Sequence, residues 1–238
     1  MLYFKGCIAR EKLNSVSIAV EKLLKEADVD FEINSDEECC GSVLLRTGFR
    51  EDAEVQMEKN MDYLKGQTIL VSCAGCYKTL KKDYNDIMGF ELDVIHTSHL
   101  FMDLIRENKL KIEKSPLKVT YHDPCHLGRH MGEYESSREV INAFASLVEM
   151  VNIKEKSRCC GSGGGVKSAF PELADSIADE RIKEAKNTGA SILTTSCPFC
   201  SLNLNKSGIL EDMDLEVMDI SELLLDYLLF HSEGLKNE

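Results

Sequence analysis

Thr68-Ile69-Leu70-Val71-Ser72-Cys73-Ala74-Gly75-Cys76-Tyr77 and Ile192-Leu193-Thr194-Thr195-Ser196-Cys197-Pro198-Phe199-Cys200 share one plan. A short run of apolar and β-branched residues reads as a buried strand, and it delivers a Cys-x-x-Cys whose second half opens a helix. Outward from these two units, strands are expected at residues 2–4, 29–33, 92–95, 117–121, 148–151 and 215–218. Helical spacing of apolar residues marks 12–27, 50–63, 99–105, 136–145, 198–204 and 220–230, and Pro171 in a first turn starts another to about Lys186. Strands alternating with helices predict parallel sheets with helical crossovers, whose ligands gather beyond the C-terminal strand ends. The fold class expected is α/β, as two tandem pseudo-symmetric domains, each a small parallel sheet with flanking helices. They span residues 1–112 and 117–238, with a linker at 113–116.

The cysteines carry the repeat. Ten are present, at 7, 39, 40, 73, 76, 125, 159, 160, 197 and 200, and they fall into two sets of five with one pattern: C, CC, CxxC. Matching positions are offset by 118, 120 and 124 residues, so a repeat of about 120 residues is visible within the single chain. His96-Thr97-Ser98 likewise matches Asp219-Ile220-Ser221. Both Cys-Cys pairs are followed by glycine, Gly41 and Gly161. Neighbouring side chains normally diverge, so two adjacent thiols face one object only across a sharp bend, which glycine permits.

Composition narrows the function. A hydrophobic fraction of 43% supports a sizeable core, and no apolar run reaches membrane-spanning length. The first residues lack a signal-peptide pattern, so a cytoplasmic location is expected, where disulfides are rare. A formal net charge of -13 argues against nucleic acid as a partner. Five thiolates at one point repel one another and would hold their protons unless a cation sits among them. Zinc takes four ligands and would leave one cysteine per set unused. The C-x2-C-x2-C run of cubane clusters is absent. An open or larger iron–sulfur cluster uses all five; zinc in one site and metal-free dithiol chemistry are the alternatives.

The segments Cys39-Cys40-Gly41-Ser42-Val43-Leu44-Leu45-Arg46-Thr47-Gly48, Tyr121-His122-Asp123-Pro124-Cys125-His126-Leu127-Gly128-Arg129-His130 and Cys197-Pro198-Phe199-Cys200 resemble the CCG-domain (cysteine-rich domain) family. Within it they are most similar to the catalytic subunits of heterodisulfide reductases from methanogens, in their D or B form. The resemblance covers essentially the whole chain. It implies that each complete set of five, Cys7, Cys39, Cys40, Cys73 and Cys76, then Cys125, Cys159, Cys160, Cys197 and Cys200, binds a noncubane [4Fe-4S] cluster. It implies reductive cleavage of a disulfide between two clusters, or the reverse oxidation of thiols. Related subunits of lactate and glycolate oxidation systems imply an alternative, an electron relay without its own substrate; a zinc-stabilised adaptor is a third reading. The D form carries a ferredoxin-like region ahead of the CCG pair, and this chain begins at the first CCG repeat. The resemblance therefore implies a ferredoxin-like iron–sulfur partner, and a flavin subunit in some systems, besides a small thiol or disulfide substrate.

Three further residues are expected at the site: His126, as donor of a proton or hydrogen bond, and the cations Arg129 and Lys167, which with Arg46 would offset cluster and substrate charge. The alternative for each cation is an ordinary surface ion pair. His122, His126 and His130 recur every four residues, but Pro124 and Gly128 interrupt any helix, so His122 is expected to cap or pack a loop. Gly161-Ser162-Gly163-Gly164-Gly165-Val166-Lys167-Ser168 is a near miss to a phosphate-binding loop, with Val166 where that motif needs glycine. Its glycines are expected to let backbone pass close to a cluster. Tyr77 is expected in the core.

Overall fold

A computed structural model describes residues 1–210 and 214–234, with side chains to Phe230. Residues 211–213 and 235–238 of the expected second repeat lie outside them. The first half runs β1 (Leu2–Phe4), α1 (Cys7–Glu11), α2 (Asn14–Glu26), α3 (Ser42–Thr47), α4 (Arg50–Leu64), β2 (Thr68–Val71), α5 (Ala74–Lys78), α6 (Tyr84–Met88), β3 (Asp93–His96) and α7 (Thr97–Arg106). The second runs β4 (Lys118–His122), α8 (Gly128–Met131), α9 (Ser136–Phe144), β5 (Ser146–Leu147), α10 (Val166–Ala169), α11 (Pro171–Lys186), β6 (Ile192–Thr195), α12 (Pro198–Leu204), β7 (Glu216–Asp219) and α13 (Ile220–Gly234).

Both sheets are parallel, in the orders β1-β2-β3 and β5-β4-β6-β7. A lone parallel bridge between Leu2 and Glu32 occupies in the first sheet the edge that β5 takes in the second. Residues 29–33, expected as a strand, therefore contribute one bridge and no more; Val29 and Phe31 pack on the core only in part, and Asp30, Glu32 and Ile33 are exposed, so little fixes a longer register. The strand expected at 148–151 lies earlier, at Ser146–Leu147. Beyond it the chain leaves the sheet to make polar contacts, Glu149 to Arg138 and Asn152 to Glu184. The helix expected at 12–27 begins at Asn14, and Cys7 opens a short helix of its own.

Register decides where the site lies. Phe4, Val71 and His96 form one row at the C-terminal edge of the first sheet. His122, Thr195 and Asp219 form the matching row of the second. His96 and Asp219 repeat one device: each side chain accepts a hydrogen bond from the backbone N–H two residues on, Ser98 at 3.2 Å and Ser221 at 2.9 Å, capping the next helix.

The inner strands β2, β4 and β6, and β1, are buried on both faces over most of their length, as parallel strands under helices are. Tyr3 and Leu70 point to one core, with Val20, Leu23, Phe101, Phe144 and Leu224. Phe4, Val71 and Leu193 point to another, with Met57, Ile182 and most of the cysteines. Each core draws residues from both halves. In the former, α2 packs on α13 and α7 on α9, so each half lends its neighbour an equivalent pair of helices.

Candidate metal centre

Cys73 and Cys197 lie two residues past the ends of β2 and β6, and Cys7 and Cys125 three residues past the ends of β1 and β4. The two Cys-Cys pairs arrive on loops. There Gly41 and Gly161 are left-handed, at φ +87° and +89°, and each donates its N–H to the preceding first thiol, Cys39 at 3.5 Å and Cys159 at 3.3 Å. The bend read from the sequence is thus present in both copies. Asn60 and Asn203 fix these loops from behind, donating to the carbonyls of Cys39 at 2.9 Å and Cys160 at 2.5 Å.

All ten cysteines line one cavity of about 250 Å³. The burial pattern repeats: Cys7, Cys39, Cys125 and Cys159 are partly exposed, and the other six are buried. The thiols perturb one another's proton affinity in a single file, Cys7–Cys39–Cys40–Cys76–Cys73 in the first set and Cys125–Cys159–Cys160–Cys200–Cys197 in the second. The two files meet at Cys73–Cys197.

This crowding splits the thiols' proton affinities. Hydrogen bonds from Cys40 and Cys7 pull Cys39 down to about 2, and bonds from Cys125 and Cys160 pull Cys159 down to about 2. Cys197 is also lowered, by Cys200 and then Cys73. Their partners move the other way: the bond to Cys159 pushes Cys160 up to about 12, and Cys7, Cys40, Cys73, Cys76, Cys125 and Cys200 all rise. Bare thiols here ionise only in part, since each thiolate holds its neighbours protonated. A cation among them would reverse that.

Of the other residues expected at the site, His126 and Lys167 line the cavity, as does Arg46. His126 belongs to the second half but reaches the first: its Nδ1 lies 3.7 Å from where a Cβ on Gly75 would stand. Burial lowers its pKa to about 4, so the ring is neutral near pH 7. Lys167 pairs with Asp175, and Arg46 with Asp83 at 2.5 Å. Asp83 also holds Lys78, a buried cation on the first CxxC helix that the sequence reading missed. One π-helical turn, Thr79–Asp83, brings this carboxylate back to both.

Arg129 is not among the lining residues. Its guanidinium donates to the Ser157 carbonyl, just as Arg10 does to that of Glu37, bracing the loop before each Cys-Cys pair. His122 ends β4 instead of packing a loop, and a ring nitrogen lies within 4.8 Å of the sulfurs of Cys160 and Cys200. Tyr77 is buried, in edge contact with His96.

The family profile of the cysteine-rich CCG domain matches residues 1–81 and 119–205. The chain belongs to the cysteine-rich CCG-domain family. One subunit of the dihydromethanophenazine:CoB–CoM heterodisulfide reductase of Methanosarcina acetivorans is 40% identical over 240 residues, covering 96% of this chain and 59% of that protein. One subunit of the fumarate reductase (CoM/CoB) of Methanothermobacter marburgensis is 38% identical, covering 93% and 45%. An EtfAB:quinone oxidoreductase of Syntrophomonas wolfei is 32% identical, covering 94% and 34%. This CCG-family chain spans less than two thirds of the length of these curated relatives. Among solved structures, glutamate racemase from Francisella tularensis superposes with a TM-score of 0.41 at 13% identity, covering 99% of this chain and 80% of the racemase, a likeness too weak to bear on function. Among the described residues no helix is long and apolar enough to cross a membrane.

Proposed function

We propose that each set of five thiols holds a noncubane [4Fe-4S] cluster and that the chain is the two-cluster core of an oxidoreductase that reduces a disulfide, or oxidises the two thiols. The observation that carries this reading is the meeting of two complete thiol files at Cys73–Cys197 within one cavity. The donor set fits such a group: five sulfurs per set line the cavity, and a left-handed glycine follows each Cys-Cys pair. At Gly6 a Cβ would stand 3.0 Å from the Cys76 sulfur, so the backbone there is already as close to the thiols as a side chain allows.

When bound, such clusters supply one electron each and an iron that can accept substrate sulfur. The overall change is RS–SR′ + 2 e⁻ + 2 H⁺ → RSH + R′SH; the S–S bond breaks and one electron reaches each sulfur. The chain's own residues supply the rest. Gly6, Gly75 and Gly163 to Gly165 leave room for substrate beside the thiols. His126, spanning both halves, holds or passes a proton at a ring nitrogen. Lys167, paired with Asp175, and Arg46 flank the cavity; Arg46 and Lys78 share the single carboxylate of Asp83, and the surplus positive charge favours an anionic substrate. The electron donor is a ferredoxin-like iron–sulfur unit, with a flavin subunit beyond it in some assemblies, and a cytoplasmic location accords with ten free thiols.

A second reading, an electron relay with no substrate of its own, is favoured by the likeness to the EtfAB:quinone oxidoreductase. Electron paramagnetic resonance of the oxidised, anaerobically purified protein separates the two. Adding a small thiol is expected to give a new paramagnetic signal as substrate sulfur reaches a cluster; a spectrum unchanged at saturating thiol would leave the relay.

A further inference from the structure

The two sets match in their thiols but not in what stands behind them. The repeat offset of 118 that pairs Cys7 with Cys125 pairs Phe4 with His122, and both end a strand, opposite Val71 and Thr195. Along α4 and α11 the buried residues keep an offset of 121: Ala53 with Ala174, Met57 with Ala178, Asn60 with Arg181. The first set is therefore backed by Phe4 and Asn60, the second by His122 and Arg181. All four side chains are fully buried or nearly so.

Arg181 fixes what His122 can do. Its Nε donates to His122 Nδ1 at 3.1 Å. A guanidinium has no acceptor, so Nδ1 must supply the lone pair, and the neutral ring then carries its proton on Nε2. That nitrogen has no lone pair left for a metal; it is a donor. Arg181 cannot turn away, because Nη1 donates to the Asn152 carbonyl at 3.0 Å and to Glu184 at 2.8 Å, and Nη2 to the Ser157 hydroxyl at 3.2 Å. In the first set Phe4 has no donor, and Asn60 spends its amide on the Cys39 carbonyl and the Tyr84 hydroxyl. The carboxylate nearest His122 in sequence, Asp123, is held in a two-point pair by Arg138, at 2.6 and 2.9 Å, which offsets its charge.

We infer that His122, oriented by Arg181, donates a hydrogen bond to sulfur of the second cluster and makes that cluster the one of higher reduction potential. An electron entering the pair therefore settles at the Cys125, Cys159, Cys160, Cys197 and Cys200 end. Reduction adds negative charge to the cluster, and N–H donors to its sulfurs stabilise that charge. His122 is a positioning and tuning residue; it touches neither substrate nor metal. The inference rests on the proposal that both sets hold clusters.

The test is a potentiometric titration, followed by electron paramagnetic resonance, of the anaerobically purified chain and its His122→Phe and His122→Gln variants. A Cys7→Ser variant marks the couple of the first set. Two separate one-electron couples are expected. His122→Phe should shift the upper couple down towards the lower and leave unmoved the couple that Cys7→Ser alters. His122→Gln, which keeps an N–H donor, should retain more of the separation and stands in if the phenylalanine variant fails to fold. Unchanged potentials in both His122 variants with both clusters present would overturn the inference alone. So would movement of the couple marked by Cys7→Ser, or loss of iron from the second set, which would make His122 a ligand. A wild-type chain with no iron and sulfide would overturn the two-cluster reading as well, and metal analysis tells that case apart.

Discussion

Gly41 and Gly161 hold the same left-handed turn in different surroundings. A Cβ on Gly161 would stand 2.4 Å from the Ala174 carbonyl oxygen, whereas one on Gly41 would meet nothing closer than 3.7 Å. Both substitutions to alanine carry the cost of a positive φ, about 1–2 kcal/mol. Gly161→Ala adds a collision with backbone that cannot move aside. In chemical denaturation Gly161→Ala is therefore expected to lose clearly more stability than Gly41→Ala; equal losses would show that α11 yields to the new methyl. His96 gives a pH dependence. Burial, with His99 nearby, holds its pKa at about 3, below its ordinary 6.5. As pH falls from 6.5 towards 3, the unfolded chain takes up a proton that the folded chain refuses, so stability falls. The limiting slope is about 1.4 kcal/mol per pH unit for one histidine. Urea titrations at pH 7 and pH 5 should show a smaller loss in His96→Asn than in the wild type.

Arg138 on α9 ties together three segments that the site depends on. It pairs with Asp123, two residues before Cys125, and with Glu149 at 2.6 Å, on the stretch leading to Cys159. Asp123 in turn accepts the backbone N–H of Lys154 at 2.9 Å. Removing one member of a buried ion pair costs about 3–5 kcal/mol, because the remaining charge is left unpaired. Arg138→Ala is expected to lose about that much stability and to lose iron from the second set before the first; equal loss from both would contradict the locality of this brace. Sequence periodicity located α4, α11 and the strands before each CxxC, because their buried faces are apolar and long enough to show it. It overextended residues 29–33, a half-buried edge, and placed β5 two residues late, at 148–151, where ion pairs have already drawn the chain off the sheet. Buried polar groups left no such trace: Arg181 sits in a stripe of Ala174, Ala178 and Ala185, and only the substitution of arginine for a small residue at that spacing marked it. The two cysteine sets were legible because their pattern is repeated, and both line the cavity. Arg129 was not, since closeness in sequence to Cys125 says nothing of which way a guanidinium points; it braces a backbone carbonyl.

The molecule as a whole is a pseudo-twofold object, and its two-part core follows from that. Helices exchanged between the halves, α2 onto α13 and α9 onto α7, bring the C-terminal edges of the two sheets to one place. Neither set of thiols is closed off by its own half: His126 crosses to the first CxxC, and Cys73 meets Cys197. On the two-cluster proposal, that arrangement would let two electrons be delivered singly to two sulfurs. The most direct test is iron and acid-labile sulfide content of the chain prepared without oxygen and supplied with both. Roughly eight irons and a comparable amount of sulfide per chain are expected, about four to a cluster. Zinc at one or two equivalents with no sulfide, or thiols that stay metal-free, would contradict the account.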